Sequence, residues 1–242
     1  VTRSTSFGRR TSTVMKHALI IGASRGLGLA LAGEHLARGW RVTGTVRTPT
    51  PEIDSLRQSA GEALEIIAPV DITDTEQVAG LAGYLESQWF NLLFINAGIL
   101  LGRGQALADV SETDLNTMFL TNAVSPVRVA DKLIGNVHPG GMIVFMSSVL
   151  GSVGANDDGR AELYRASKAA LNSFVRSFCA RHPDLDATVL LMHPGVVRTA
   201  MGGADAPLDV ETSVTGIADV IEQRWGSGGH AFVDYRNATI PW

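Results

Sequence analysis

Tyr164 and Lys168 stand four residues apart in Y-R-A-S-K, a spacing that can do proton chemistry. If 161 to 181 is a helix, the two side chains share one face, a turn apart. A phenol has a pKa of about 10 and is a poor acid or base near neutrality. A nearby cation favours the phenolate, and lowering the pKa by about 3 corresponds to roughly 4 kcal/mol of differential interaction. Tyr164 could then give a proton to a carbonyl oxygen, or take one in reverse. Lys168 is one of only three lysines in a chain with 17 arginines. Its compact ammonium can reach both a phenolic oxygen and a ribose hydroxyl. Taken alone, Y-x3-K also arises by chance on amphipathic helices.

A second cluster is G-A-S-R-G-L-G, with Gly22, Gly26 and Gly28, which follows the apolar run HALIIGA. Glycines there let the backbone approach a pyrophosphate, and a helix beginning near Gly26 would aim unpaired N–H groups and its positive dipole end at the same place. The spacing G-x3-G-x-G differs from the usual dinucleotide fingerprint, and no Lys follows as a P-loop requires. A glycine-rich turn that merely packs tightly is the plain alternative. Charge at the end of the second strand separates the cofactors, because an acid there selects NAD whereas a basic residue accommodates the 2′-phosphate of NADP. Here the strand ends T-V-R with Arg47, no acid follows until Glu52, and Arg25 adds a cation inside the glycine loop. Either arginine alone could be solvated surface charge. Their coincidence at two expected places points to NADP(H).

The elements that must position these groups follow from apolar runs of strand length at 17 to 23, 40 to 46, 64 to 70, 91 to 97, 141 to 147, 187 to 193 and 231 to 235. Between them lie stretches of helical spacing, such as Leu27, Leu31 and Leu36, and Val78, Leu81 and Leu85. Runs apolar on both faces are strands covered on both sides, so the alternation predicts an α/β fold: a single Rossmann-type, doubly wound parallel sheet of about seven strands. T-D-T-E from Thr73 has the form of a capping box and predicts a helix start there. No repeat or linker divides the chain after residue 15.

At 242 residues the chain suits one domain, expected over 15 to 242. Residues 1 to 14 hold seven Ser or Thr, three Arg and no acid, and are expected to be a disordered leader or a segment added for expression. Net charge −4 and mean hydropathy +0.14 exclude general attraction for nucleic acid and a disordered chain, and no apolar run reaches the ~18 residues of a membrane span. Small-molecule partners are expected. The single cysteine, Cys179, rules out an intrachain disulfide and fits a reducing compartment, the cytoplasm by default. The six histidines lack metal-ligand spacing, so no metal is assigned.

Taken in order, G-A-S-R-G-L-G (22 to 28), N-A-G (96 to 98), Ser147-Ser148 after an apolar strand, Y-R-A-S-K (164 to 168) and H-P-G-V-V-R-T (193 to 199) closely resemble the short-chain dehydrogenase/reductase family. S-S-V-L-G-S-V-G and M-G-G-A-D-A-P-L-D are similar to its branch of C-factor and sniffer-type carbonyl reductases. The resemblance implies that Tyr164 is the catalytic acid/base, Lys168 its pKa-lowering partner and nicotinamide-ribose ligand, and Ser148 the hydroxyl that holds the substrate carbonyl. Asn122 would support a proton relay through water. The implied cofactor site comprises Gly22, Ser24, Arg25, Gly26, Leu27, Gly28, Arg47, Asp71, Asn96, Ala97, Gly98, Pro194, Gly195, Val197 and Thr199, together with Tyr164 and Lys168. Within it, Asp71 would contact adenine and Thr199 the nicotinamide amide. Asp71 could equally help start the helix at Thr73.

Two features depart from the family pattern. The interval from Ser148 to Tyr164 is long, with N-D-D-G-R as the inserted stretch, which leaves Ser147 and Ser148 as competing serines. The region after Thr199 is short, implying an open pocket of broad selectivity. The expected function is NADPH-dependent reduction of a ketone or aldehyde, or alcohol oxidation in reverse. The alternative is an NADP(H)-binding signalling or interaction protein with incidental turnover. The resemblance also implies a homodimer, or a tetramer, pairing through long helices at about 104 to 134 and 161 to 181.

Overall fold

The computed structural model describes residues 15–242, so the expected leader over 1 to 14 lies outside the described residues. Seven parallel strands form one sheet in the order β3-β2-β1-β4-β5-β6-β7. They are β1 (His17–Ile21), β2 (Arg41–Thr45), β3 (Leu64–Ile67), β4 (Phe90–Ile95), β5 (Val137–Met146), β6 (Ala187–His193) and β7 (His230–Asp234). The helices are α1 (Gly26–Ala37), α2 (Pro51–Ala60), α3 (Thr75–Tyr84), α4 (Glu112–Phe119), α5 (Ser125–Leu133), α6 (Glu162–Arg181) and α7 (Val210–Gln223).

The period-2 pleat makes two cores from each strand. Leu19 and Ile21 of β1 face α3, α5 and α6, where Leu81, Val129, Leu171 and Phe178 are buried. Ala18 and Ile20 face α1, α2 and α7, where Leu31, Ile53 and Ile217 are buried. Each such aliphatic side chain contributes about 1.5–3 kcal/mol through burial, which explains why the runs are apolar on both faces. Strand order reverses at β1, which pairs with β2 on one side and β4 on the other. Ligands of open α/β sheets bind in the crevice outside the carboxyl ends at such a point. The Gly22 loop and Asn96–Gly98 leave their strands there. Among the described residues no helix is long and apolar enough to cross a membrane.

Two sequence expectations need correction. The cap of α3 is Asp74, not Thr73: Asp74 Oδ1 accepts from the backbone N–H groups of Glu76 and Gln77, and Gln77 Nε2 donates to Asp74 Oδ2 at 2.8 Å. A carboxylate can accept both amides at once. Thr73 turns instead to Asp71, donating its N–H and hydroxyl to Oδ1 at 2.8 and 2.7 Å. The single helix expected over 104 to 134 is in fact two. Gly102 and Gly104 have positive φ, Ser111 caps α4 through the N–H of Asp114, and a wide turn of π-helix at Leu120–Val124 separates α4 from α5.

Candidate active site

The glycine loop is built by close backbone approach. Gly22 (φ +91°) and Ala23 donate their N–H groups to the Thr45 carbonyl at 3.2 and 2.9 Å, and Asn96 Nδ2 donates to the Gly22 carbonyl at 2.8 Å. A Cβ at Gly28 would stand 2.0 Å from Gly22 O and 2.6 Å from Asn96 Nδ2, so only glycine lets α1 start this near β1. Asn96 and Ala97 both donate backbone N–H groups to Ile21 O. Thus N-A-G is the floor against which the loop folds, and Gly22 packs on Ala97.

The N-terminus of α1 has neither a side-chain cap nor an acid in its first turn. By contrast, α2, α3, α4 and α7 are capped by Thr50, Asp74, Ser111 and Asp209. The first amides of α1 are therefore left for an anion. Arg25 and Arg47 are both exposed beside this end of the crevice. Arg47 Nη1 is 4.0 Å from Asp71 Oδ2, a loose contact across 30% or more exposure on both sides. Such a pair contributes little and leaves the guanidinium available. Ser24 and Leu27 are partly exposed in the same loop, and Ser24 O accepts from the Thr50 hydroxyl at 2.9 Å. The donor set fits an elongated anionic dinucleotide, with amides in the middle and cations at one end. Among the described residues no His, Cys, Asp and Glu grouping could hold a metal ion.

Beyond β5 the adjacent serines divide. Ser147 continues the strand, with its N–H on Met192 O at 2.8 Å, and its hydroxyl donates to Asn172 Oδ1 at 2.7 Å. Asn172 Nδ2 in turn donates to Gly151 O at 3.1 Å. Ser147 is therefore a brace between β5 and α6. Ser148 points the other way: its Oγ accepts from Leu150 N at 3.1 Å, and its hydroxyl is close enough to the Tyr164 phenol to favour the phenolate. Of the two competing serines, Ser148 is the one facing Tyr164.

Tyr164 and Lys168 lie on α6 as the spacing predicted, with Nζ 5.9 Å from the tyrosine ring centroid. Lys168 is 3% exposed and donates to Met146 O at 2.9 Å. Its Nζ lies 3.6 Å from where a Cβ would stand at Gly98, at the cleft floor. The expected lowering of the phenol pKa is reversed in the protein alone. Burial pushes Tyr164 up to about 12, opposed only by the neighbouring Ser148 hydroxyl. Lys168 is itself pushed down to about 8 by burial. Burial thus disfavours the charged form of both groups. At neutral pH Tyr164 keeps its proton, as a proton donor must.

Asn122 is fully buried within the wide turn. Its Oδ1 accepts from Ile99 N at 2.8 Å, and its Nδ2 donates to Ile99 O at 2.8 Å and to Ser167 Oγ at 3.1 Å. It ties the loop following Gly98 to α6 at Ser167, the residue before Lys168. After β6, Pro194 O accepts from the Ser213 hydroxyl at 2.6 Å and Gly195 adopts φ +84°. A Cβ there would meet Leu208 at 2.8 Å. Val197 is buried and bridged to Leu208. Thr199 closes a turn, its Oγ1 accepting from Gly202 N at 3.0 Å and its carbonyl from Gly203 N at 2.9 Å. His193, at the end of β6, is held near pKa 4 by burial, so it is neutral and only a weak base near pH 7. Sequence reasoning missed Asn172 and the Met146 carbonyl, which fix Ser147 and Lys168. It also missed a bond from Arg103 Nη2 to Met201 O, between the loops after β4 and β6. Contacts between distant loops leave no periodic signal.

A sequence profile described as short chain dehydrogenase matches residues 16–207. C-signal of Myxococcus xanthus is 40% identical over 155 residues, covering 63% of this chain and 92% of that protein. A short-chain dehydrogenase/reductase from Burkholderia multivorans with bound NADP superposes with a TM-score of 0.91 at 44% identity, covering 94% of this chain and all of that one. A carbonyl reductase from Pseudomonas aeruginosa PAO1 in complex with NADP gives 0.88 at 40% identity, with the same coverage. With its strand order, its glycine cradle and its Ser148, Tyr164 and Lys168 cluster, the chain belongs to the short-chain dehydrogenase family.

Proposed function

We propose that the protein reduces a ketone or aldehyde with NADPH, and oxidises the corresponding alcohol when run in reverse. The observation that carries this reading is the grouping of Ser148 and a protonated Tyr164 with the buried Lys168, whose Nζ lies 5.9 Å from the tyrosine ring, just beyond the carboxyl end of β5. Bound NADPH would supply the hydride that reaches the carbonyl carbon. Tyr164 gives its proton to the carbonyl oxygen as charge develops there, and Ser148 donates a hydrogen bond to the same oxygen. Lys168 and Asn122, through water beside the Ile99 carbonyl, return a proton to Tyr164. The uncapped end of α1, with Gly22, Ser24, Gly26, Leu27 and Gly28, would hold the pyrophosphate. Arg25 and Arg47 would hold the 2′-phosphate, and Asp71 would border adenine. Lys168 and Thr199 would hold the nicotinamide riboside, flanked by Asn96, Ala97, Gly98, Pro194, Gly195 and Val197. The NADP-bound neighbours support this cofactor.

Likeness to C-signal favours a second reading, an NADP(H)-binding signalling protein with incidental turnover. NADPH oxidation against a panel of carbonyl compounds, with NADH as control, tests the first. Tyr164→Phe should lower turnover by about 10²–10⁴ while NADPH still binds. A biological effect that persists in Tyr164→Phe would favour signalling, and a clear preference for NADH would overturn the roles of Arg25 and Arg47. We also place the protein in the cytoplasm, on its single cysteine. A homodimer, or a tetramer built from it, is supported by Leu115 of α4 and Phe174 of α6, which present apolar side chains outward. Sedimentation as a monomer at micromolar concentration would remove that assignment.

A further inference from the structure

Resting on that reading, we propose that Arg103 is a specificity-determining residue which selects carbonyl substrates carrying a carboxylate. The chain from Ile99 to Leu107 follows β4 at the carboxyl edge of the sheet. It is held at one end by the Asn122 amide on Ile99 and at the other by Leu107 N donating to Glu162 Oε2 at 2.9 Å, two residues before Tyr164. Midway, Arg103 stands between Gly102 (φ +61°) and Gly104 (φ +76°) and donates Nη2 to the carbonyl of Met201, in the turn closed by Thr199. The guanidinium thus links the loop after β4 to the loop after β6, and these two strands flank β5, whose end leads directly into Ser148.

Two observations make this cation a reader of substrate charge rather than a brace. Arg103 forms no ion pair among the described residues, although Asp109 and Glu162 lie on the neighbouring segments. One neutral carbonyl occupies a fork with five donors. Apolar side chains on the two linked loops are exposed, with Leu107, Val196 and Met201 at 48%, 53% and 39%. In such a setting a carboxylate makes a bidentate, charge-assisted pair that a backbone carbonyl cannot match, and the two glycines let Arg103 exchange one acceptor for the other.

The test uses the full chain saturated with NADP⁺, where a ketone binds without turnover. Aryl keto acids with increasing separation between ketone and carboxylate are titrated by calorimetry beside their methyl esters. At least one acid should bind tenfold or more tightly than its ester. Arg103→Met should bring the two within about twofold, and Arg103→Lys should restore part of the difference. Equal binding of every acid and ester, or a preference that survives Arg103→Met, overturns the proposal. NADPH oxidation with the neutral esters reports separately on the parent reading: esters reduced without any preference for acids sink only the role of Arg103, whereas NADP⁺ that fails to bind sinks both.

Discussion

Lys168 should make the stability of this protein rise with pH. Its ammonium is buried, and its pKa falls from 10.5 to about 8 because the charged form has lost its water. An unfolded chain holds this proton up to about pH 10.5, whereas the folded chain releases it near 8. Between these values the unfolded state binds more protons, so unfolding becomes harder as pH increases. From pH 7 to pH 10 the gain is about 2–3 kcal/mol. Tyr164 acts in the opposite direction above pH 10, because its folded pKa near 12 exceeds the ordinary 10. The comparison is therefore made between Tyr164→Phe and Tyr164→Phe/Lys168→Met, without added nucleotide, by guanidinium denaturation at pH 7, 8, 9 and 10. The unfolding free energy of the lysine-bearing protein should climb relative to the methionine variant by about 2–3 kcal/mol across that range. Other titrating groups cancel in the difference. A difference that stays constant or shrinks would refute the claim that Lys168 is held dehydrated beneath the tyrosine.

The serines should separate cleanly. Ser148→Ala should lower turnover by about 10²-fold through loss of a donor at the carbonyl oxygen. Ser147→Ala should leave turnover near wild type but cost about 1–3 kcal/mol in chemical denaturation, because Asn172 Oδ1 is left buried without its donor. Gly28→Ala places a Cβ 2.0 Å from the Gly22 carbonyl, so α1 must move away. NADPH affinity by fluorescence titration should fall more than tenfold, with a stability loss of about 1–3 kcal/mol.

Much of this architecture was legible from residue order. Continuous apolar runs such as ALII (18 to 21) are dictated by two covered faces, and the sheet buries them on both. The glycine loop and the Tyr164–Lys168 spacing also survive translation into coordinates. What was not legible depends on competition. Asp74 displaced Thr73 as a cap because a carboxylate accepts two amides. The break between α4 and α5 is invisible to periodicity, since one added residue in a turn alters no residue type, although S-E-T-D at Ser111 was a readable start signal for α4. The sign of the Tyr164 shift followed from burial, which no spacing encodes. The family pattern already pointed to Ser148; what the sequence did not show is that Ser147 is tied to Asn172 as a brace.

The wide turn at Leu120–Val124 has a consequence for how this chain can drift over time. Each helical residue contributes about 100° of rotation and 1.5 Å of rise. Deleting one residue here would let the ladder close into ordinary helix, spin α5 by about that angle and carry Val127, Val129 and Leu133 off the sheet. The same deletion would withdraw the Asn122 amide from Ile99. Point changes across this stretch can be absorbed one side chain at a time, whereas a change in its length has no small version. Descendants of this sequence should therefore vary in letters between α4 and α5 and keep the count.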